Sequence, residues 1–134
     1  MDNCIFCKII KGEIPSYKIY EDESTYAFLD ISQDSDGHTL VISKKHYKNI
    51  LDVDDEELFH IMSTVKKVSN HFVNQCGYDG VNIVANANEA AEQSVMHIHI
   101  HIFPRKNGNG WKMFNTFTGT TMTLEQAQEK LKLQ

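Results

Sequence analysis

The sequence predicts an α+β fold built on a mainly antiparallel sheet, and three observations support this. Five short β-rich runs are separated by turn-rich segments, the first two runs form a hairpin pattern, and one long amphipathic helix lies between the third and fourth runs. The chain has 134 residues, of which 41% are hydrophobic and 23% charged, which is typical of one globular domain. We therefore expect a single domain over residues 1–134.

The N-terminal half is predicted to hold one short helix and three strands. Residues 4–11 repeat apolar side chains four positions apart, which indicates a helix that ends at Gly12. Pro15 then favours extended backbone. The three β-rich runs that follow are residues 18–21, 26–31 and 39–43.

The clearest helix of the chain is predicted to begin near Asp54. Asp54 and Glu57 resemble an N-terminal capping pair, and Gly77 suits the end of the helix. Apolar residues recur at helical spacing and predict one buried stripe, formed by Leu58, Met62, Val65, Val68 and Phe72.

Two further strands and a terminal helix complete the prediction. The strands are residues 81–86 and 95–103, joined by a loop over residues 87–94. Thr123 and Gln126 have the spacing of a capping box, which opens a short helix. That helix places Leu124, Ala127 and Leu131 on one face.

Charge and composition exclude several classes of protein. The formal net charge of −5 argues against a non-specific nucleic-acid binder, which needs a basic face. No run approaches the roughly 20 apolar residues that span a bilayer, and the N-terminus lacks the pattern of a secretory signal. The three cysteines are an odd number and do not resemble a disulfide framework. We expect a cytoplasmic protein with no nucleic-acid or membrane partner.

The most informative segment alternates histidine with apolar residues over positions 96–103, MHIHIHIF. Alternate side chains of a strand lie on opposite faces, so the three isoleucines are predicted to enter the core. His97, His99 and His101 then lie in a row on the other face. Solvent exposure alone favours Lys, Glu, Thr or Ser there, so the row indicates a function. Imidazoles can bind a metal ion, or a neutral imidazole can attack a phosphorus atom.

The sequence resembles the histidine triad family, whose motif is His-x-His-x-His followed by apolar residues. The resemblance covers about residues 4–105, and the tail over residues 106–134 is less diagnostic. Eight further blocks match in the family's order: residues 4–10, 14–15, 28–31, 37–42, 44–46, 84–86, 93–95 and 104–105. The family fold is α+β, in agreement with the prediction above.

The resemblance implies catalytic roles for five residues. His99 matches the nucleophile that becomes nucleotidylated, and His101 matches a residue that contacts phosphate oxygens. His97 supports the nucleophile, because its backbone carbonyl can accept a hydrogen bond from a ring N–H of His99. His38 matches a fourth histidine beside the row, and Ser94 matches a serine near the leaving group.

The resemblance also implies a nucleotide site. Asp30 and Ile31 match a pair that contacts the ribose, and Asn86 matches an amide near the scissile bond. Gln93 belongs to a loop close to the phosphate. Apolar walls around the base are expected from Ile5, Phe6, Ile9 and Phe28, although each could equally be ordinary core.

Cys4 and Cys7 are spaced for one metal ion, but two thiols do not complete a tetrahedral site. The resemblance implies that His46 and His97 join them around a structural zinc ion. A reduced cysteine pair without metal and a redox disulfide remain alternatives from the residues alone.

The resemblance implies a homodimer that binds a purine nucleotide of the AMP or GMP type and hydrolyses a bond at its α-phosphorus. No cluster of Mg²⁺ ligands is apparent in the sequence, so we expect the reaction to need no catalytic metal. The leaving group could be an amine or a second nucleotide. One position departs from the family. Glu92 stands where members commonly have glycine, and a carboxylate that pointed inward would repel phosphate. A nucleotide-binding adaptor with little turnover, and a metal-storage module built on the histidine row, are the alternatives.

Overall fold

A five-stranded antiparallel sheet organises the chain. The computed structural model describes residues 3–108, 112–113 and 119–133. The strands are β1 (Lys18–Glu21), β2 (Thr25–Leu29), β3 (Thr39–Ser43), β4 (Gly80–Ala85) and β5 (His99–Arg105). The helices are α1 (Ile5–Ile10), α2 (Asp55–Asn74) and α3 (Leu124–Leu131), with a single 3₁₀ turn at Glu89–Ala91. The α+β prediction is confirmed.

The strand order β1-β2-β3-β5-β4 places the histidine strand inside the sheet. On one side of β5, His99 pairs with Ile42 and His101 with Leu40 of β3. On its other side, His101 pairs with Val84 of β4. Because β3 and β4 both pair with β5 in antiparallel ladders, the backbone of β5 is hydrogen-bonded on both edges over much of its length.

The two faces of the sheet pack against different helices. Helix α2 covers one face and buries a cluster that includes Ala27, Val41, Ile100 and Ile102 of the strands. Helix α1 lies on the opposite face, where Phe6 and Ile9 pack against a second cluster of Phe28, Leu40 and Ile42. The histidine side chains lie on the α1 face, because they alternate with the buried isoleucines of β5.

The strand predictions agree with the structure except at their ends. The predicted bounds of β1 and β3 are confirmed, whereas β2 begins at Thr25 and ends at Leu29. The largest error is β5, which begins at His99 and not at residue 95. Residues 95–97 bend away, because the ladder with β3 starts only at His99 and the backbone N–H of Ile98 donates to the carbonyl oxygen of Tyr47 (2.7 Å).

Helix α2 begins where it was predicted, but two details were wrong. Asp54 occupies the N-cap position without a side-chain capping bond, since its carboxylate accepts from the hydroxyl of Tyr47 (3.1 Å). Met62 is 41% exposed, and Ile61 and Thr64 are buried instead. Periodicity of apolar residues missed Thr64, whose hydroxyl bonds to that of Thr25 on β2 (2.7 Å).

Helix α3 confirms the predicted capping box between Thr123 and Gln126. Its predicted apolar face is not covered by other described residues, since Leu124 and Leu131 are 86% and 69% exposed. Among the described helices none is long and apolar enough to cross a membrane.

Candidate active site

The three histidines of the row lie close together in the structure, but their surroundings differ. His99 and His101 lie on β5, while His97 sits in the bend before the strand and is fully buried. The rings of His99 and His101 are 5.0 Å apart between centroids. The isoleucines that alternate with the histidines, Ile98, Ile100 and Ile102, are buried against α2, as the alternation predicts.

The orientation of His99 is set by the backbone two residues earlier. Its Nδ1 lies 2.8 Å from the carbonyl oxygen of His97. A carbonyl can only accept, so Nδ1 carries the proton and Nε2 keeps its lone pair. Burial lowers the pKa of His99 below its ordinary value, although the bond to the His97 carbonyl acts in the opposite direction. The ring is therefore neutral near pH 7 and nucleophilic at Nε2.

His101 is paired with His38 at the start of β3. Nε2 of His38 lies 2.9 Å from Nδ1 of His101, and both rings stack with Phe103. Burial lowers the pKa of His101 to about 4, with smaller effects from the neighbouring histidines. Gly37 makes this placement possible: its φ is +86°, and an added Cβ would lie 3.0 Å from the ring of Pro104.

A cavity of about 320 Å³ opens beside His99 and His101, large enough for a small ligand. Most residues that were predicted to contact a nucleotide line it: Ile5, Phe6, Ile9, Phe28, Asp30, Ile31, Ser94, His99 and His101. The ring of Phe6 contacts both Phe28 (5.6 Å) and His99 (5.2 Å) edge-on. The apolar part of the cavity therefore continues directly to the imidazole of His99.

Asp30 stands at the polar end of the cavity, directly after β2. Burial raises the pKa of this carboxyl, but hydrogen bonds from the backbone N–H and hydroxyl of Ser32 outweigh it and bring the pKa below its ordinary value. Asp30 is thus ionised at neutral pH and can accept hydrogen bonds from hydroxyl groups of a ligand.

Asn86 and Gln93 are not among the described residues that line this cavity. Asn86 follows β4, where Ala85 pairs with Ile100. Gln93 is buried: its amide donates to the carbonyl oxygens of Lys48 (2.7 Å) and Val95 (2.9 Å) and accepts from the backbone N–H of Asn88 (2.8 Å). Its side chain holds the loop before Ser94, so a direct contact with a nucleotide by either residue remains a prediction.

Glu92 explains why glycine suits the position before Gln93. Its φ is +69°, in the left-handed region that favours glycine. The side chain is exposed and does not line the cavity. The carboxylate of Glu92 therefore lies in solvent and does not point towards the cavity. The departure from glycine affects the backbone of the loop instead.

Next to the cavity, Cys4, Cys7, His46 and His97 bring four potential ligand atoms together. Nδ1 of His97 lies 3.3 Å from Sγ of Cys4 and 3.1 Å from Nδ1 of His46, which is 3.3 Å from Sγ of Cys7. A tetrahedral zinc ion with Zn–S near 2.3 Å and Zn–N near 2.0 Å separates its ligand atoms by about 3.3–3.8 Å. These separations lie at or just below the short end of that range, and the donor set of two thiols and two imidazoles fits zinc.

His97 is prepared for such a role by β3. Its Nε2 lies 2.7 Å from the carbonyl oxygen of Ser43, so Nε2 carries the proton and Nδ1 offers a lone pair to the cluster. Burial lowers the pKa of His97 to about 4, which keeps the ring neutral and available as a ligand. The residue therefore faces the cysteines with its side chain and His99 with its carbonyl.

The antiparallel sheet of this α+β fold thus presents the neutral imidazole of His99 to a cavity of ligand size. A family model described as "HIT domain" matches residues 11–108. The chain belongs to the HIT family.

Two relatives illustrate the sequence similarity. An uncharacterized HIT-like protein of Methanocaldococcus jannaschii is 50% identical over 107 residues, which cover 80% of this chain and 82% of that protein. Adenosine 5'-monophosphoramidase of Candida albicans is 40% identical over 118 residues, which cover 81% of this chain and 78% of that protein.

Two crystal structures illustrate the similarity in fold. A HIT family protein of Bacillus anthracis superposes with a TM-score of 0.83 at 43% identity, covering 96% of this chain and 92% of that chain. A zinc-bound histidine triad family protein of Mycobacterium smegmatis gives 0.80 at 36% identity, covering 84% and 81%.

Sequence reasoning missed several residues that build the site. The carbonyl oxygen of Ser43 orients His97, and backbone groups carry no signal in a sequence. Asn49 is buried and donates to both Gln93 (3.1 Å) and Asn88 (3.0 Å). Its place directly before exposed apolar residues gave no hint of this loop. Leu40, Ile14 and Val95 line the cavity but were noted only as matches to the family.

Replacing Glu92 by glycine should raise the free energy of unfolding by about 0.5–1 kcal/mol, because glycine adopts a positive φ without strain. Urea unfolding measures the change. Glu89→Gly is the matched control, since Glu89 lies in the neighbouring 3₁₀ turn and is also exposed. It should lose stability, and an equal loss in both variants would contradict the strain assigned to position 92.

Proposed function

We propose that this protein hydrolyses a bond at the α-phosphorus of a purine nucleotide conjugate, with His99 as the nucleophile. Nε2 of His99 attacks the phosphorus and the leaving group departs, which gives a nucleotidyl-histidine. Water then breaks the phosphorus–nitrogen bond and releases the nucleoside monophosphate. No divalent metal ion takes part in these steps.

The observation that carries the proposal is the 2.8 Å contact between Nδ1 of His99 and the carbonyl oxygen of His97. Nδ1–H of His99 donates to the His97 carbonyl, so the proton stays on Nδ1 and Nε2 carries the lone pair. A neutral imidazole held in this way needs no separate base before it attacks. The ring of His99 also lies 5.2 Å from that of Phe6 in the apolar wall. A purine stacked on this wall would therefore place the phosphate of its nucleotide near His99.

The rest of the cavity supports a nucleoside monophosphate as the bound group. The apolar side chains of Phe6, Ile9 and Phe28 suit a purine ring, and the ionised Asp30 suits ribose hydroxyls. His101 lies beyond His99 on the same face of β5 and can contact phosphate oxygens. Asn86 and the backbone of the loop at Gln93 are proposed to approach the phosphate from the β4 side.

The leaving group is proposed to sit near Ser94. Ser94 is exposed, and together with Ile5 and Val95 it lines both the cavity beside His99 and a neighbouring one of about 400 Å³. A hydroxyl at this junction can donate to an amine or oxygen as it leaves. The Candida albicans relative is a phosphoramidase, which favours an amine as leaving group over a second nucleotide.

The adaptor and metal-storage alternatives are less well supported. Glu92 was the reason to expect weak turnover, and its carboxylate lies in solvent. Storage of metal on the row would need the three histidines to face one ion, whereas Nδ1 of His97 faces the cysteines and Nδ1 of His101 faces His38.

His99→Ala should reduce hydrolysis of adenosine 5'-phosphoramidate by about 10³-fold or more, because no other group replaces the nucleophile. It should still bind AMP, and quenched wild-type reactions should contain chain with one nucleotidyl adduct by mass spectrometry. His60→Ala is the control, since His60 is an exposed residue of α2. Binding of AMP with no turnover by wild type of this phosphoramidate or of a diadenosine polyphosphate would favour the adaptor.

We further propose that Cys4, Cys7, His46 and His97 hold a structural zinc ion. The donor set is Cys₂His₂, which is typical of closed zinc sites, and a similar protein of Mycobacterium smegmatis is zinc-bound. A zinc ion bound there would tie α1 to the sheet. Cys4 and His46 contact the ring of His97 and hold it in place. The carbonyl of His97 in turn orients His99.

Cys7→Ser should lose zinc and unfold at a lower temperature, since a closed site contributes binding energy to folding. Zinc per chain is measured by elemental mass spectrometry, and unfolding by calorimetry. Cys76→Ser is the matched control, because Cys76 is an exposed thiol outside the cluster. His99→Ala should retain zinc, and loss of the ion in that variant would instead support a site on the histidine row.

Two copies of the chain are proposed to join through β4. Strand β1 at the other edge is short, has a bulge and carries the pair Lys18–Glu21, all of which discourage strand pairing. The outer edge of β4 pairs with no described strand, and it presents Ile83, which is 41% exposed. Side-by-side pairing of two β4 strands would join the sheets and cover this residue.

Ile83→Glu should weaken the dimer by about tenfold or more, because a two-fold interface brings two carboxylates together. Sedimentation over a range of concentrations measures the monomer–dimer equilibrium. Ile19→Glu on β1 is the control, since Ile19 is 37% exposed at the opposite edge. A wild-type chain that sediments as a monomer at all concentrations would contradict the proposal.

A further inference from the structure

The buried imidazole of His38 connects two carboxylates to His101. His38 is 1% exposed, and its Nε2 lies 2.9 Å from Nδ1 of His101. Its other nitrogen, Nδ1, has no hydrogen-bond partner among the described residues. That nitrogen faces Asp30 at 3.8 Å and Asp34 at 3.9 Å. The three groups Asp30, His38 and His101 form a chain from a carboxylate to the cavity.

The carboxylates determine where the protons of this chain lie. A neutral imidazole has one N–H and one lone pair, and the lone pair is repelled by nearby negative charge. Nδ1 of His38 therefore carries the proton, and its Nε2 is an acceptor. The bond between the two rings must then be donated by Nδ1–H of His101. In the free protein, Nε2 of His101 is consequently unprotonated, and its lone pair faces the cavity.

A lone pair at that position would repel a phosphate oxygen, so binding requires a further proton. We propose that Asp30, acting through His38, holds the proton of His101 on Nδ1, and that Nε2 of His101 takes up a second proton when a phosphate group binds. The proton comes from solvent, stays on Nε2 as the donor to a phosphate oxygen, and returns to solvent when the phosphate leaves. No other bond is made or broken.

The surroundings of His101 are consistent with a neutral ring before binding. The titratable described groups that face it are His99 on β5, His38 at the start of β3, and Asp30 and Asp34 between β2 and β3. The α1 residues that line the cavity with it, Ile5, Phe6 and Ile9, are uncharged, and so is Val84, its partner on β4. Burial holds its pKa at about 4, and an anionic ligand together with Asp30 favours the charged form.

This makes Asp30 a positioning residue for His101, in addition to its proposed contact with the ribose. The inference rests on the proposed function only in its second half, the binding of a phosphate group. The tautomer of His101 is a property of the free protein and can be measured without any ligand or turnover.

The first test is the ¹⁵N spectrum of the imidazole rings in the free protein near pH 7. We expect Nδ1 of His101 to have the shift of a protonated nitrogen and Nε2 that of an unprotonated one. The reverse pattern would overturn the proposal. In Asp30→Asn the two nitrogens should move towards a mixed, averaged pattern, while in Asp36→Asn they should not move. Asp36 is an exposed residue of the same loop, so its replacement makes the same change in net charge.

The second test measures proton uptake by calorimetry in buffers of different ionisation enthalpy. The probe is adenosine 5'-(methyl phosphate), a phosphodiester whose single charge does not titrate in this range. At pH 6 the wild type should take up close to one proton per ligand, and its affinity should fall by about tenfold per pH unit above the pKa of the complex. A ribose contact alone would change affinity without changing this proton count.

Asp30→Asn should take up less than about half a proton under the same conditions, whereas Asp36→Asn should match the wild type. Equal uptake in Asp30→Asn and wild type, or no uptake in wild type, would overturn the inference. If the probe does not bind at all, the proposed function fails, while the ¹⁵N spectrum still decides the tautomer of His101.

Discussion

The hydrogen bond from Nε2 of His97 to the carbonyl oxygen of Ser43 is the interaction on which the candidate site depends. It fixes which nitrogen of His97 faces the two cysteines, and it holds the bend before β5 in place. That bend directs the carbonyl oxygen of His97 at Nδ1 of His99. One bond to the end of β3 therefore orients both the cluster of two cysteines and two histidines and the imidazole that faces the cavity.

The sheet separates stability from chemistry by its two faces. On the α2 side, isoleucines of β5 and the apolar residues of α2 form the larger cluster, beside which the hydroxyls of Thr25 and Thr64 bond to each other. On the α1 side, a smaller apolar cluster leaves room for a cavity bordered by His99 and His101. Because β5 is paired on both edges, substitutions in the cavity need not disturb the α2 face.

Burial gives all four histidines around the row pKa values below the ordinary value, so none of them is charged near pH 7 without help. Each ring then has one donor and one acceptor, and its partners decide which is which. Two carbonyl oxygens decide for His97 and His99, whereas carboxylates decide for His38 and, through it, for His101. Neutral imidazoles in fixed tautomers are what attack on a phosphorus atom requires.

The sequence by itself determined the fold class, the order of the five strands along the chain and the alternation of β5, because these follow from local periodicity and turn residues. The sequence also identified the histidines, and its resemblance to the family predicted that Cys4 and Cys7 lie close to His46 and His97. Errors arose where long-range contacts override local pattern. Residues 95–97 leave the strand because β3 offers no partner there, and Thr64 is buried because Thr25 bonds to it.

Only the tertiary structure decided which hydrogen-bond partner each histidine of the site has, and therefore which of its nitrogens carries the proton. Tautomers depend on atoms that are distant in sequence: the Ser43 carbonyl is 54 positions from His97, and His38 is 63 positions from His101. The backbone conformation at Glu92 and the burial of Gln93 are likewise set by the loop as a whole. A pattern of residue types can show that imidazoles share a face, but the proton positions follow from what each ring touches after the chain has folded.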